Sequence, residues 1–557
     1  MHVKYEKSWG WGITMLKIAA AMRLAAYGFV SVFCLALTAQ AESRPAMTTH
    51  VPEAVASGQA VRVGRVDSAR RLSLAIQLPL RNEPQLLDLL QRLYDPQSPS
   101  YRHYLSVKQF TEKFGPSQSD YAALTRFAQV NGFTIIDQPS NRLLLDVEAS
   151  AAKIESAFHI TLGVYQHPTK SRTFFAPDRE PTLDLAAPVL HITGLDNFSL
   201  PVSKHIESNI TYKITGSGPG GSYLGSDLRA AYYGSGSLNG AGQSVALFEF
   251  KGFEMSDIDA YFTNANEPLN VPIVGVSVNG ASTLCALPCN DTEQSLDIEQ
   301  AVSMAPGLTQ VQVYVGKLNT AIFNQMASDN ISKTIGCSDG WADNETSLDP
   351  IFEEMASQGQ TVFVATGDQG SATLADIVWP ADDPWVTAVG GTTLYTNGAG
   401  GSWKAEVGWP RSAGMPSPNG VPIPSYQLLT GVITSSNGAS STLRNIPDVA
   451  SESDAVQYAC YMGTCAEHGG GTSYAAPLWA SLMAMVNEQA LANGGTYMGF
   501  FNPTLYDIGV SKSFTTDFHD ITRGTNGAYT AVAGYDLVTG WGSPNAVNLI
   551  DALAPVK

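Results

Sequence analysis

Ser244-Val245-Ala246-Leu247-Phe248-Glu249-Phe250 is an apolar run of strand type, and residues 255–264 directly after it have helical periodicity. The same alternation continues downstream. Strand-like runs at 271–278, 309–315, 333–337 and 361–366 interleave with helix-like runs at 291–304, 319–328 and 349–357. Parallel strands need helical crossovers, so this region is expected to be α/β, a parallel sheet flanked by helices. In such sheets reactive side chains gather at the carboxyl ends of the strands.

Upstream, 43–202 reads as a separate small α+β unit, with strand character at 74–78 and 143–147 and helical periodicity at 83–93 and 120–129. Residues 204–221, rich in Ser, Gly and Thr, read as an exposed, cleavable linker. At the N-terminus Lys17 and Arg23 precede an apolar run at 24–37, and Ala39-Gln40-Ala41 has the form of a signal-peptidase site. The boundaries follow as 1–41, 42–203, 204–221 and 222–557. With 32 basic against 50 acidic residues, the chain is unsuited to nucleic acid or anionic membranes. Export, with the periplasm as the alternative destination, suits the local cysteine pairs Cys285/Cys289 and Cys460/Cys465, which could close small loops. Zinc is the competing use of those pairs, although their spacings match no common zinc pattern. Cys337, in an apolar run, reads as an inert core thiol.

Gly469-Gly470-Gly471-Thr472-Ser473-Tyr474-Ala475-Ala476-Pro477 sets Ser473 at the start of a helix-compatible run. Free N–H groups there favour an oxyanion beside the hydroxyl, or else Thr472 or Ser473 simply caps the helix. A nucleophilic serine needs a base, and no histidine lies between 206 and 467. Glu293 and Asp297, four residues apart, share a helix face, where two carboxyls would titrate as one unit; a capping box begun by Asn290 is the plainer reading. Asp368, in Gly367-Asp368-Gln369-Gly370 after the 361–365 run, is either a turn former or, when protonated, an oxyanion donor.

Asp95-Pro96-Gln97-Ser98-Pro99-Ser100-Tyr101, Leu296-Asp297-Ile298-Glu299 with Ala305-Pro306-Gly307, Trp379-Pro380-Ala381 with Val389-Gly390-Gly391-Thr392, and Gly471-Thr472-Ser473 with Pro477 together resemble the sedolisin family of secreted serine-carboxyl peptidases, in its kumamolisin-like branch. The resemblance implies a subtilisin-like catalytic domain behind an inhibitory pro-domain. It also implies Ser473 as nucleophile, Glu293 as base, Asp297 as its partner, Asp368 in the oxyanion hole, and Glu249 as an extension of the proton chain. Phe518-His519-Asp520-Ile521-Thr522 and Ala533-Gly534-Tyr535-Asp536 resemble the family's loop for one structural Ca2+, with ligands Asp520, Ile521, Val532, Gly534 and Asp536. One run departs from the family pattern: Gly336-Cys337-Ser338-Asp339-Gly340 stands where relatives carry a Ser-x-Ser-Trp/Tyr-Gly sequence, which leaves substrate-side contacts open. The expected protein is a monomeric acid-acting endopeptidase on polypeptides, self-processed, its pro-domain loosened when acid protonates carboxylates. A tripeptidyl-peptidase, a Ser-His-Asp peptidase and a non-catalytic binding protein are the alternatives.

Overall fold

The structure, a computed structural model, describes residues 47–207, 215–285, 289–341, 346–371 and 379–555. The expected signal segment and residues 208–214 of the expected linker lie outside them.

The central sheet runs in the order Ile273–Ser277, Gln310–Val315, Ser244–Glu249, Thr334–Cys337, Thr361–Ala365, Thr387–Thr396, Trp403–Gly408, with Val449–Glu452 also on Thr387–Thr396. All pairings are parallel except that of the last edge strand, Trp403–Gly408. Thr334–Cys337 and Thr361–Ala365 are buried along their whole length, which is why they read as unbroken apolar runs rather than alternating ones. Helices Met255–Ala265, Thr292–Met304, Asn319–Asp329 and Asp349–Ser357 form on the expected spans. Thr292–Met304 is buried at every position, so Glu293 and Asp297 face the interior; Asn290 Oδ1 accepts from Thr292 N at 3.1 Å, one residue before the N-cap, which leaves Glu293 out of the capping-box position. The N-cap is Asp291, without a side-chain cap bond.

A buried ion pair fastens the strand Val449–Glu452 to the sheet. Arg444 Nη2 lies 2.5 Å from Asp448 Oδ2, and Asp448 also accepts from Ala388 N and from Tyr506 OH, each at 2.7 Å. Losing Asp448 alone would strand a buried guanidinium at a cost of about 3–5 kcal/mol.

The N-terminal module has a four-stranded antiparallel sheet, Thr134–Asp137, Leu144–Ser150, Arg71–Gln77, His191–Thr193, and a three-stranded one, Arg62–Arg65, Leu162–Gln166, Thr173–Pro177. Its helices Glu83–Tyr94 and Gln118–Val130 match the expected α+β reading. Glu83–Tyr94 packs on Asp349–Ser357, where Tyr94 OH donates to Ala356 O at 2.6 Å. Asn141 Nδ2 reaches both Asn324 Oδ1 and Glu354 Oε2 at 2.7 Å. Among the described residues no helix is long and apolar enough to cross a membrane.

Candidate active site

The helix Thr472–Ala492 begins after Gly471, whose φ of +137° a residue with a Cβ rarely adopts. A Cβ there would also run into the Lys204 carbonyl oxygen and Asp368 Oδ2, so glycine is required on both counts. Ser473 is fully buried in the first turn. Pro477, four residues on, has no N–H to give the Ser473 carbonyl; Ser338 Oγ donates to that oxygen instead, at 3.3 Å. The same hydroxyl has Asp297 Oδ1 at 2.8 Å, so its single proton is shared between the two acceptors. Ser338 therefore ties the start of this helix to the helix Thr292–Met304.

Glu293, Asp297 and Glu249 form one buried acidic group at 4%, 0% and 0% exposure. Gln294 Nε2 donates to Glu249 Oε2 at 2.6 Å. Glu293 Oε1, Asp297 Oδ2 and Glu249 Oε1 meet no protein donor, the condition in which neighbouring carboxyls share protons. All three pKa values rise well above the carboxylate range. Burial is the first cause in each, followed for Glu293 and Glu249 by the charge of Asp297, while the Ser338 hydrogen bond opposes the rise at Asp297. Ser473 Oγ forms no hydrogen bond of normal geometry, yet it lies close enough to Glu293 to favour that group's charged form.

Asp368 is held at the carboxyl end of the strand Thr361–Ala365. Its Oδ1 accepts from Thr472 N at 2.9 Å and Thr472 Oγ1 at 3.0 Å, while Oδ2 has no partner. Burial pushes it up to about 7 against those bonds and the nearby charges of Lys204 and Arg411. Below that pH it carries a proton, and a protonated carboxyl with a free oxygen is able to donate a hydrogen bond.

The expectation of an exposed linker from residue 204 is corrected here. Val202–Ser203 pairs antiparallel with Asp339–Gly340, and Ile206–Glu207 pairs with the strand Thr464–Gly470 at Gly470 and Gly469. Between them Lys204 is 5% exposed, and its carbonyl oxygen accepts from Ser473 N at 3.3 Å. Ser203 Oγ donates a short hydrogen bond to Glu293 Oε2. A polar composition suggested solvent; the partner strands, far away in sequence, supply the burial. Ser338 and Thr472 were missed as site residues, although both lie in runs singled out in the sequence.

In the expected calcium loop, Gly534 N donates to both oxygens of Asp520, at 3.1 and 3.3 Å. Asp536 is fully buried and accepts from Val532 N at 3.0 Å and from Val538 N and Thr539 N at 2.8 Å. Both disulfides, Cys285–Cys289 and Cys460–Cys465, are formed, which leaves those pairs no thiolate for zinc. Cys337 is a buried free thiol, raised by burial, as expected of an inert one.

Residues 58–198 match the family model described as Pro-kumamolisin, activation domain. The chain is 29% identical to kumamolisin of Bacillus sp. (strain MN-32) over 537 residues, covering 89% of this chain and 94% of the relative. It is 25% identical to tripeptidyl-peptidase 1 of Mus musculus, over 88% and 93% of the two chains. Among solved structures, Pseudomonas sedolisin, a serine-carboxyl proteinase complexed with two molecules of pseudo-iodotyrostatin, superimposes with a TM-score of 0.51 at 27% identity, covering 59% of this chain and 97% of that one.

Proposed function

Since the chain is a serine-carboxyl peptidase of the sedolisin family carrying a pro-kumamolisin activation domain, we propose that it is a secreted, acid-acting endopeptidase made as a precursor that cuts itself. Ser473 attacks the substrate carbonyl. Glu293 takes its proton and passes it to the leaving amine, Asp297 holds and tunes Glu293, and Glu249 extends the shared-proton group. Protonated Asp368 and the Ser473 N–H stabilise the oxyanion. The observation that carries this reading is the main chain of 202–207 crossing the buried hydroxyl with a carbonyl oxygen on the Ser473 amide. Because that chain enters from Pro201 and leaves toward Glu207, it supports cleavage inside a polypeptide over removal of terminal tripeptides. Secretion is supported by the leader-like sequence and the two disulfides. The test is incubation of purified precursor across a pH series. A shortened chain and peptide hydrolysis should both appear below about pH 6; a precursor that stays whole and inert at every pH overturns the reading.

Acid release of the N-terminal module through carboxylates meets the wrong sign at the interface. Burial raises Glu354, bonded to Asn141, to about 8, and Asp349, near Glu83, to about 6. Groups raised in the docked state take up protons on docking, so acid strengthens the contact through them. Histidine runs the other way. His50 is 5% exposed, stacks on His191 with centroids 4.7 Å apart, accepts from Ile192 N at 3.0 Å through Nε2, and faces Glu180 through Nδ1. Burial lowers it despite Glu180, and burial with the charge of His50 lowers His191. The folded module thus binds fewer protons than the unfolded one below the ordinary histidine value of 6.5, and its stability falls as the pH drops through that range. His50→Gln should therefore shift the midpoint of acid-induced protease sensitivity of the module down by about 0.5 pH unit or more. Limited proteolysis across pH reads this directly.

The residues of the C-terminal loop fit one Ca2+. Asp520 and Asp536 are tied to the same turn, neither is in an ion pair among the described residues, and burial raises both, Asp536 to about 7. An all-oxygen set of these carboxylates with the carbonyls of Ile521, Val532 and Gly534 suits a hard cation, whose charge would offset that burial. Chelation should lower the melting temperature, and calcium at about 100 times its Kd should restore about 2.7 kcal/mol. Calorimetry of wild type and Asp536→Asn checks it; only the variant should be indifferent to calcium.

A further inference from the structure

We propose that the peptidase cuts its own chain between Lys204 and His205, and that the pocket holding Lys204 selects a basic side chain before the scissile bond in other substrates. This deepens the endopeptidase reading and rests on it. The bond is identified by position: of the residues crossing the cleft, it is Lys204 whose carbonyl oxygen receives the Ser473 amide and abuts Gly471 beside Asp368 Oδ2. On its N-terminal side Ser203 and Val202 are in register with Asp339 and Gly340. On the other side the His205 ring packs against Tyr461 and Tyr474, with centroids 5.8 and 5.9 Å away. Both flanks are held as added strands, the geometry in which pockets read alternate side chains.

The pocket itself is polar. Lys204 Nζ donates to Ala365 O at 2.6 Å, and a Cβ on Gly340 would fall 2.5 Å from Nζ, so the glycine makes room for the ammonium. Burial lowers the lysine to about 8, still above the acid range in which the peptidase works, so the side chain is charged in the pocket. Burial raises Asp339, at 5% exposure, to about 6, and the charges of Lys204 and Lys251 oppose that rise. Asp339 precedes the glycine that makes room for Nζ and is paired with Ser203, the residue before Lys204. A neutral side chain of equal length would leave the Ala365 carbonyl without the donor it faces.

In the step itself Ser473 Oγ bonds to the Lys204 carbonyl carbon as its proton moves to Glu293. The C–N bond to His205 breaks and the His205 amine takes that proton. Water then hydrolyses the ester, giving the Lys204 carboxyl and restoring the Ser473 hydroxyl.

The experiment uses the full precursor and, after acid processing, two peptides that differ only in lysine or norleucine before the cut. Mass spectrometry of the first cleavage product should find His205 as the new N-terminus, and Lys204→Met should slow processing at least 10-fold. Wild-type kcat/KM should favour lysine at least 10-fold over norleucine. Asp339→Asn should reduce that preference to within 3-fold, the lysine rate falling by more than the norleucine rate. A first cut elsewhere, or equal rates on the two peptides with wild-type enzyme, overturns the proposal although the enzyme still cleaves. Cleavage of nothing at any pH is the separate failure of the endopeptidase reading.

Discussion

Ser473→Ala leaves the precursor uncut in acid and abolishes peptide hydrolysis, with kcat reduced about 10^6-fold. The size follows from the role: the hydroxyl is the atom that bonds to the substrate, and nothing beside it can substitute. Folding should be spared, because the lost oxygen makes no hydrogen bond of normal geometry and the site already packs a small side chain. Stability should change by less than about 1 kcal/mol. Electrophoresis of the precursor over time in acid, with a melting curve on the same sample, gives both readouts; processing at the wild-type rate removes Ser473 from the chemistry.

Asp368→Ala lowers kcat by about 10^2–10^3-fold, whereas Asp368→Asn keeps most of the acid activity and extends it upward in pH. Protonated Asp368 is a donor only below its value of about 7, so the wild-type oxyanion site weakens as the pH rises through that point. An amide donates at every pH. Its oxygen can still accept from Thr472 N and Oγ1, now 2.9 and 3.0 Å from Oδ1, and its nitrogen then occupies the place of the unpartnered Oδ2. The alkaline limb of the kcat profile should therefore move up in the asparagine variant. An unmoved limb together with a harmless alanine would assign the oxyanion to other groups.

The fold was legible because its strands are buried on both faces and its helices are long enough to display a period. Thr361–Ala365 and Thr472–Ala492 lie almost where the apolar runs put them. The spacing of Glu293 and Asp297 showed a shared helix face but not its burial, which comes from packing against the helix Thr472–Ala492. Lys204, the first residue of the expected linker, misled for a physical reason: a lysine suits water equally well, and the strands that flank it pair with Asp339–Gly340 and Gly469–Gly470, far away in sequence. Ser338 stayed hidden because its task, satisfying a carbonyl left bare by Pro477, exists only once the helix is formed.

The two short strand pairings on either side of Lys204 outlive the hydrolysis between them. Neither new end is freed by the cut, since Val202–Ser203 stays paired beside Glu293 and Ile206–Glu207 stays paired beside Gly469–Gly470. A freshly nicked molecule is thus its own product complex. Turnover of other peptides has to wait for these two ends to peel away, and the onset of activity will trail the appearance of the cleaved chain.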